Sequence, residues 1–396
     1  MSDILCPTDE AEAADAIRNA ESRRMTLRIE GGGTRAGLGR PVDATRVLSS
    51  SRLSGVTLQE PSELVISARA GTPLSDLEDA LATSGQMLPF EPVNLCGLYG
   101  TSGRSTVGGV VAGNWSGPRR ISAGAARDHV IGVRFVNGRG EIVKSGGRVM
   151  KNVTGLDLSK LMCGAHGTLG FLTEITFKVL PRPETEATLV LRGLDDHRAI
   201  PALAKALGSP FEVTGAAHLP AGIDGAEART LIRIENFAAS VDYRFARLAS
   251  LLQSEGPSER LDAATSSALW RRVRDVTLLS DPREAAIWKL SVAPTRGPSA
   301  AHLIGNHVAG RCYYDWGGGL IWLATSAAGD AGAAAIRQAL TVTGGHATLV
   351  RAPDDVRARV DVFQPLSAPL MTITTGLKAS FDPAALLNPG RMYAGC

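Results

Sequence analysis

Residues 151–181 read KNVTGLDLSKLMCGAHGTLGFLTEITFKVLP, and this stretch decides the fold. Gly164, Gly167 and Gly170 fall in one short loop, with Thr168 among them. An alternating run through Phe171, Leu172, Ile175, Phe177 and Val179 follows at once. A glycine loop opening directly into a strand lets backbone approach a bulky ligand, because no Cβ stands in the way. Two more such loops lie upstream, Gly31-Gly32-Gly33-Thr34 and Thr106-Val107-Gly108-Gly109. Their separations suit a chain wrapped around one long ligand with a phosphate in its middle. A Rossmann reading of Gly31, Gly33 and Gly37 fails on spacing. Pro41 and the Val-Asp-Ala-Thr that follows also interrupt the helix such a motif needs. A strand–loop–strand turn whose amides converge on a pyrophosphate fits better, with Thr34 adding a hydroxyl.

Working outward, Thr8, Asp9 and Glu10 start a helix that buries Ala13, Ala14 and Ile17. Strands are expected at residues 25–29 and 64–68. Thr72-Pro73 opens a helix through Leu74, Leu77 and Leu81 that Gly85 closes as a C′ glycine. Residues 130–136, Asn137-Gly138 and residues 141–144 read as a hairpin, with a favoured Asn-Gly turn if the register is tight. Pro181 and Pro183 mark a boundary. Beyond it, strand–helix–strand–strand–helix occurs twice, at residues 188–252 and 287–340, with a linking helix near 264–276 and a last strand at 347–350. That pattern gives an antiparallel sheet with helices on one face.

With 396 residues, 44% apolar content and few aromatics, the chain has the composition of an ordinary α/β protein of two domains. The net charge of +3 and the lack of any sustained basic run give nucleic-acid binding no support. Arg271, Arg272 and Arg274 read as a solvated helix face. Cys6, Cys96, Cys163, Cys312 and Cys396 are scattered without a C-x-x-C pair, so this chain's own thiolates offer no recognised zinc or iron–sulfur spacing. Isolated cysteines, no basic n-region and no apolar h-region place the expectation in the cytoplasm, with no transmembrane segment.

The motifs GGGT (31–34), STVGGVVAGNWSG (105–117), DHVIGVRFVNGRGEIVKSGG (128–147), the 151–174 stretch and FDPAALLNPGRM (381–392) together resemble the FAD-binding domain of the vanillyl-alcohol oxidase and p-cresol methylhydroxylase family. TPLSDLEDALATSGQMLPFEP (72–92), WKLSVAPT (288–295) and GGHATLVRAP (344–353) further resemble the FAD-binding subunits of bacterial glycolate oxidases. The resemblance implies an α+β fold in three parts. Residues 1–182 form an FAD domain of two α+β subdomains. Residues 183–375 form a cap with a helix-covered antiparallel sheet, and residues 376–396 return to the FAD domain. It also implies FAD contacts from Gly31, Gly32, Gly33 and Thr34, from Thr106, Gly108, Gly109 and Asn114, and from Gly167, Thr168, Gly170 and Phe171. Those of the third loop run through the main chain, and a loop-stabilising role for Asn114 stays open. The implied activity is oxidation of glycolate, a small 2-hydroxy acid. The implied partners are a second flavoprotein subunit, bearing the 2-hydroxy-acid site, and an iron–sulfur subunit that passes electrons onward, through which the chain would sit peripherally on the inner membrane. The alternatives are a self-sufficient FAD oxidoreductase for another hydroxy acid and a non-catalytic flavin-binding subunit.

Catalytic residues stay unassigned. The His-x-Gly-Asp-Gly-Asn-x-His metal motif of related dehydrogenases is absent, and residues 344–351 hold one histidine with no acidic residue before Asp354, so no metal is expected. His346 and Arg351 either face the flavin, Arg351 as a fork for a carboxylate, or are a loop end and a surface strand residue. Lys289 shares a strand face with Ser291; it either stabilises an anionic reduced flavin or is solvent-exposed. His129 and His166 read as structural. Many relatives attach flavin through histidine or cysteine. The first loop has neither, and Cys96 lies ten residues before Thr106, off the cysteinyl-flavin pattern. The FAD is therefore expected to be noncovalent, one per chain. Acid or heat denaturation should release it as a yellow supernatant, and flavin retained in the precipitate would contradict this.

Overall fold

In the computed structural model, which describes residues 4–147 and 155–396, the N-terminal part forms two larger sheets around shared cores and a two-stranded one from Gln86–Met87 and Leu180–Pro181. Residues 151–154 of the glycine-loop stretch lie outside the described residues. Strands Ile4–Leu5, Arg46–Ser49 and Leu27–Glu30 make a parallel sheet in that order. Helix Glu10–Ser22 begins where the Asp9 carboxylate accepts the Glu12 amide at 2.8 Å, satisfying a donor that has no helical partner. Its Ala13, Ala14, Ile17 and Ala20 pack on Leu27 and Leu48 of that sheet and on Val136 and Phe171 of the next. The second sheet is antiparallel, ordered Val56–Glu60, Val65–Arg69, Phe171–Lys178, Val130–Val136 and Ile142–Gly146. Helix Leu74–Ala82 lies where Leu74, Leu77 and Leu81 place it, and Gly85 takes the left-handed conformation just past its end.

The hairpin differs from its expected form. Val136 pairs with Ile142, so five residues connect the strands and no two-residue Asn-Gly turn exists. The Asn137 carboxamide closes the loop, accepting the Arg139 and Glu141 amides at 3.0 Å each. This is a side chain imitating a backbone turn.

The C-terminal sheet has eight antiparallel strands, ordered Ser258–Leu261, Thr185–Arg192, Arg229–Asn236, Val213–Leu219, Gly310–Asp315, Leu320–Thr325, Ala286–Ser291 and His346–Arg351. The two repeats meet at its centre through one paired position, His218 with Tyr314. There the Asp196 carboxylate accepts the Tyr314 hydroxyl at 2.6 Å and contacts His218 Nε2 at 3.2 Å. One face is covered by helices Asp196–Leu207, Ala238–Leu252, Gly297–Gly305 and Ala333–Thr343. The other, carrying Ile287, Tyr313 and Trp322, joins the core that contains Phe90, Trp115 and Phe177 of the N-terminal part. Burying each such aromatic contributes about 2–3 kcal/mol.

Helix Ala368–Phe381 has no counterpart in the sequence reading, and the expected boundary before Gly376 falls inside it. Its one buried residue is Lys378, whose ammonium donates to Thr168 O at 2.8 Å, Leu387 O at 2.7 Å and Asp382 Oδ2 at 2.6 Å. Asp382 also accepts the Leu386 and Leu387 amides. Removing one member of a buried ion pair leaves the other charge uncompensated. Lys378→Met should therefore cost about 3–5 kcal/mol, read as a lower urea midpoint, and Lys378→Met with Asp382→Asn should recover part of the loss.

Candidate functional site

Each glycine loop is held by a regular element. Strand Leu27–Glu30 delivers residues 31–34, Thr106 caps helix Val107–Ala112, and strand Phe171–Lys178 leaves the 164–170 loop. The loops converge on one cleft where the parallel and the five-stranded antiparallel sheet of the N-terminal part meet. Gly31, Gly32, Gly33, Thr34, Thr106, Gly108, Gly109, Gly167, Gly170 and Phe171 all line it. Gly33 has φ +70° with open space before its missing Cβ, whereas a side chain at Gly32 would strike the Arg104 carbonyl. The first loop thus needs glycine both for its turn and for its packing on the second. Among the described residues no acceptor meets the amides of Gly31, Gly32, Gly33 or Thr34.

Asn114 and Thr168 do not line the cleft. Asn114, at φ 50°, accepts the Arg127 amide at 3.1 Å. The Thr168 hydroxyl donates to Ala165 O at 2.7 Å, and its carbonyl takes the Lys378 ammonium. Both side chains hold loops in shape.

Sequence reasoning missed the cations and the indole of this cleft. Arg28, Arg35, Arg391 and Trp115 line it, and Arg28 Nε, Arg35 Nε, Arg391 Nε and Trp115 Nε1 are buried without a hydrogen-bond partner. All four are donors. Burial pulls the Arg35 guanidinium down to about 10 and lowers Arg391 as well. A buried donor left unmet costs about 1–3 kcal/mol. A wall of such donors beside free loop amides fits an elongated ligand rich in acceptors and negative charge, as the diphosphate and ring system of FAD are. Arg35 directly follows the first loop and Arg391 lies in the late NPGRM, so a signal was present.

His166 is also on the cleft wall, at φ 51°, its ring 4.9 Å from that of Phe363. Burial, with Arg391, Lys289 and Arg35 near, pushes its imidazole down to about 3, so the ring is neutral at physiological pH. His129 contacts Ala123 O through Nε2 at 2.7 Å. Cys96 is not among the cleft residues.

The C-terminal sheet places its candidates differently. Arg351 is buried and its guanidinium is spent on four carbonyls, those of Ala285, Leu98, Ser280 and Pro282, at 2.7–3.0 Å. It is therefore neither a carboxylate fork nor a surface residue; it pins the sheet edge to the 280–285 loop. His346 is exposed and pairs with Ser291. Lys289 lies on the sheet face turned to the N-terminal part, its Nζ 5.0 Å from the Trp115 ring centroid and 5.2 Å from that of Trp316. Among the described residues no three His, Cys, Asp or Glu side chains are grouped to hold a metal ion, and no helix is long and apolar enough to cross a membrane.

Comparisons with known proteins agree with this geometry. A family model described as FAD binding domain matches residues 2–146. Glycolate oxidase subunit GlcE of Escherichia coli is 37% identical over 380 residues, covering 96% of each chain. Glycolate oxidase subunit GlcD of Bacillus subtilis is 27% identical over 65% of this chain and 52% of its own. The structure of p-cresol methylhydroxylase with substrate bound superposes with a TM-score of 0.75 at 12% identity, over 99% of this chain and 88% of that one.

If the orphaned donors meet FAD, Arg35→Gln and Arg391→Met should each weaken FAD binding roughly ten- to hundred-fold, the loss of one or two charge-assisted hydrogen bonds. Flavin fluorescence quenching on titrating the apoprotein reads this directly. Unchanged affinity in both variants would place the anionic part of the ligand elsewhere.

Proposed function

Because the chain belongs to the FAD-binding family of glycolate oxidase subunit GlcE, we propose that it is the FAD-binding subunit of a complex that oxidises glycolate to glyoxylate. The observation that carries the reading is the row of unmet donors, Arg28, Arg35, Arg391 and Trp115, along a cleft walled by three glycine loops. FAD, when bound, accepts the two electrons and the hydrogen taken from the carbinol carbon. The chain's own part is to bind and shield. The amides of residues 31–34 and the guanidinium groups of Arg35 and Arg391 hold negative charge, while Arg28, paired with Glu30 at 2.7 Å, offers its Nε. Gly108, Gly109 and Gly170 leave room for the backbone to come close. The sheet face bearing Lys289 and Trp322 packs against Trp115, one of the cleft residues. Noncovalent attachment is supported by the lack of a cysteine among the cleft residues and by the packing of the one histidine, His166, on Phe363.

A second flavoprotein subunit and an iron–sulfur subunit complete the proposal. The chain has no cysteine spacing for a cluster, so electrons bound for a membrane quinone need a partner, and peripheral membrane attachment would come through it. Co-expression with candidate partner subunits, pull-down and a dye-reduction assay with glycolate and D-lactate test this. The expected result is a stable complex that loses activity when this chain is omitted, and little activity from this chain alone. Robust turnover by the single chain would favour a self-sufficient oxidoreductase. A complex whose rate survives loss of this chain's FAD would favour a structural subunit.

A further inference from the structure

We propose that Lys289 and Arg120, set against the indoles of Trp115 and Trp316, form an anion subsite between the C-terminal sheet and the FAD cleft, and that it takes the carboxylate of the small 2-hydroxy acid. This rests on the hydroxy-acid reading above and names how that substrate is held.

The argument starts from the sheet. Lys289 sits in the middle of strand Ala286–Ser291, paired with Trp322 on one side and Thr348 on the other, and Ser291 pairs with His346. Residues directly opposite share a face, as do residues two apart. Lys289, Ser291, Thr348 and His346 are therefore a polar patch on the same face as Ile287, Tyr313 and Trp322, which is the face packed toward the N-terminal part. A polar patch in the middle of that contact calls for a ligand or water.

The charges there are one-sided. Among the described residues, Lys289 makes no hydrogen bond and no ion pair, and neither does the Arg120 side chain. Arg120 lies with Cζ 4.5 Å from the Trp316 ring centroid, so both cations rest on one indole. Indole faces offset part of the cost of desolvating a cation but carry no net charge. The carboxylate that bears on Lys289 is Asp315. Its Oδ1 accepts the Trp316 amide at 2.7 Å, and burial pushes its carboxyl up to about 7, so it is a weak counterion. Burial, with Arg120 near, pulls the Lys289 ammonium down to about 8. His346, though its side chain is open to solvent at the strand end, is lowered by partial desolvation and by Lys289, Arg120 and Arg337. Asp128 bears on Arg120 as Asp315 does on Lys289, but neither carboxylate forms an ion pair with these cations, and two like charges so placed are stabilised by an arriving anion. A point-charge ammonium beside a planar guanidinium fork suits one carboxylate.

The place is also fixed. Trp115 lines the FAD cleft and carries the Lys289 ammonium on its ring. Trp316 is docked onto the N-terminal part by its Nε1 bond to Gly117 O at 3.0 Å. His166, on the cleft wall, responds to the Lys289 charge. The subsite thus adjoins the cleft, within reach of a two- or three-carbon acid whose other end faces it.

The probe is oxalate, a carboxylate that cannot be oxidised as a hydroxy acid. The FAD-loaded full chain is titrated with it, followed by tryptophan fluorescence and the visible flavin spectrum. Saturable binding is expected. Lys289→Met, which keeps an apolar stem over the indoles, and Arg120→Met should each weaken it about ten-fold or more with FAD content unchanged, while Arg120→Lys keeps most of it. No saturable effect in the parent chain, or binding by both methionine variants as in the parent, overturns the proposal. Should Lys289→Met fail to fold, the Arg120 pair decides. In the assembled complex, Lys289→Met should raise the KM for glycolate, and an unchanged KM would also overturn it. If the variants lose oxalate but the parent complex does not oxidise glycolate, the anion subsite stands and the glycolate reading falls.

Discussion

The wall of the FAD cleft hangs on one buried ammonium. Lys378 reaches from the C-terminal helix into the third glycine loop, and its three acceptors belong to that loop, to the residue that caps its helix and to the segment that follows. Asp382 in turn takes the amides of Leu386 and Leu387, and Asn388 accepts the Ile29 amide and donates to His166 O. The last segment of the chain thereby ties the strand that delivers the first loop to the loop that precedes Phe171. Arg391 then follows on the cleft itself. Desolvating Lys378 and Asp382 is costly, and complete hydrogen bonding is what makes it sustainable.

The cleft and the subsite beside it follow the opposite rule. Around Lys378 every polar atom named has a partner. Around Arg28, Arg35, Arg391 and Trp115 a donor is missing one, and among the described residues Lys289 and Arg120 make no ion pair. Buried polar atoms without partners also occur away from the cleft, at Gln86, Arg119 and His129, but the four on the cleft wall are all donors on residues that line one cavity, where a ligand can complete their stabilisation. Preorganised donors of this kind need no rearrangement when charge arrives.

Much of this was legible in the sequence. The three glycine loops and the strand from Phe171 were readable because turns and alternation are local properties. Helix Asp196–Leu207 and strand Val213–Leu219 were readable for the same reason. What was not legible depended on distant neighbours. Arg351 read as either a carboxylate fork or a surface strand residue, but the carbonyls that consume it come from residues 98 and 280–285. Asn114 and Thr168 carry motif positions yet spend their side chains on their own loops. Helix Ala368–Phe381 was hidden by Thr372, Ile373, Thr374 and Thr375, a β-branched run of low helix propensity, with Gly376 after it. Its threonine hydroxyls donate to carbonyls one turn back, and Lys378 supplies the tertiary anchor that its propensity lacks.

The eight-stranded sheet is continuous in outline but nearly severed at its middle. Strands Val213–Leu219 and Gly310–Asp315 share one paired position, where neighbouring pairs in each half share a full ladder. Asp196 bridges the gap from outside the sheet. Burial works against its charge, but the bonds from His218 and Tyr314 win and hold its carboxyl below the usual range. Mechanically, the backbone ladder acts as a hinge at that point, and the apolar cores packed on both faces, which run across both halves, carry the load between them.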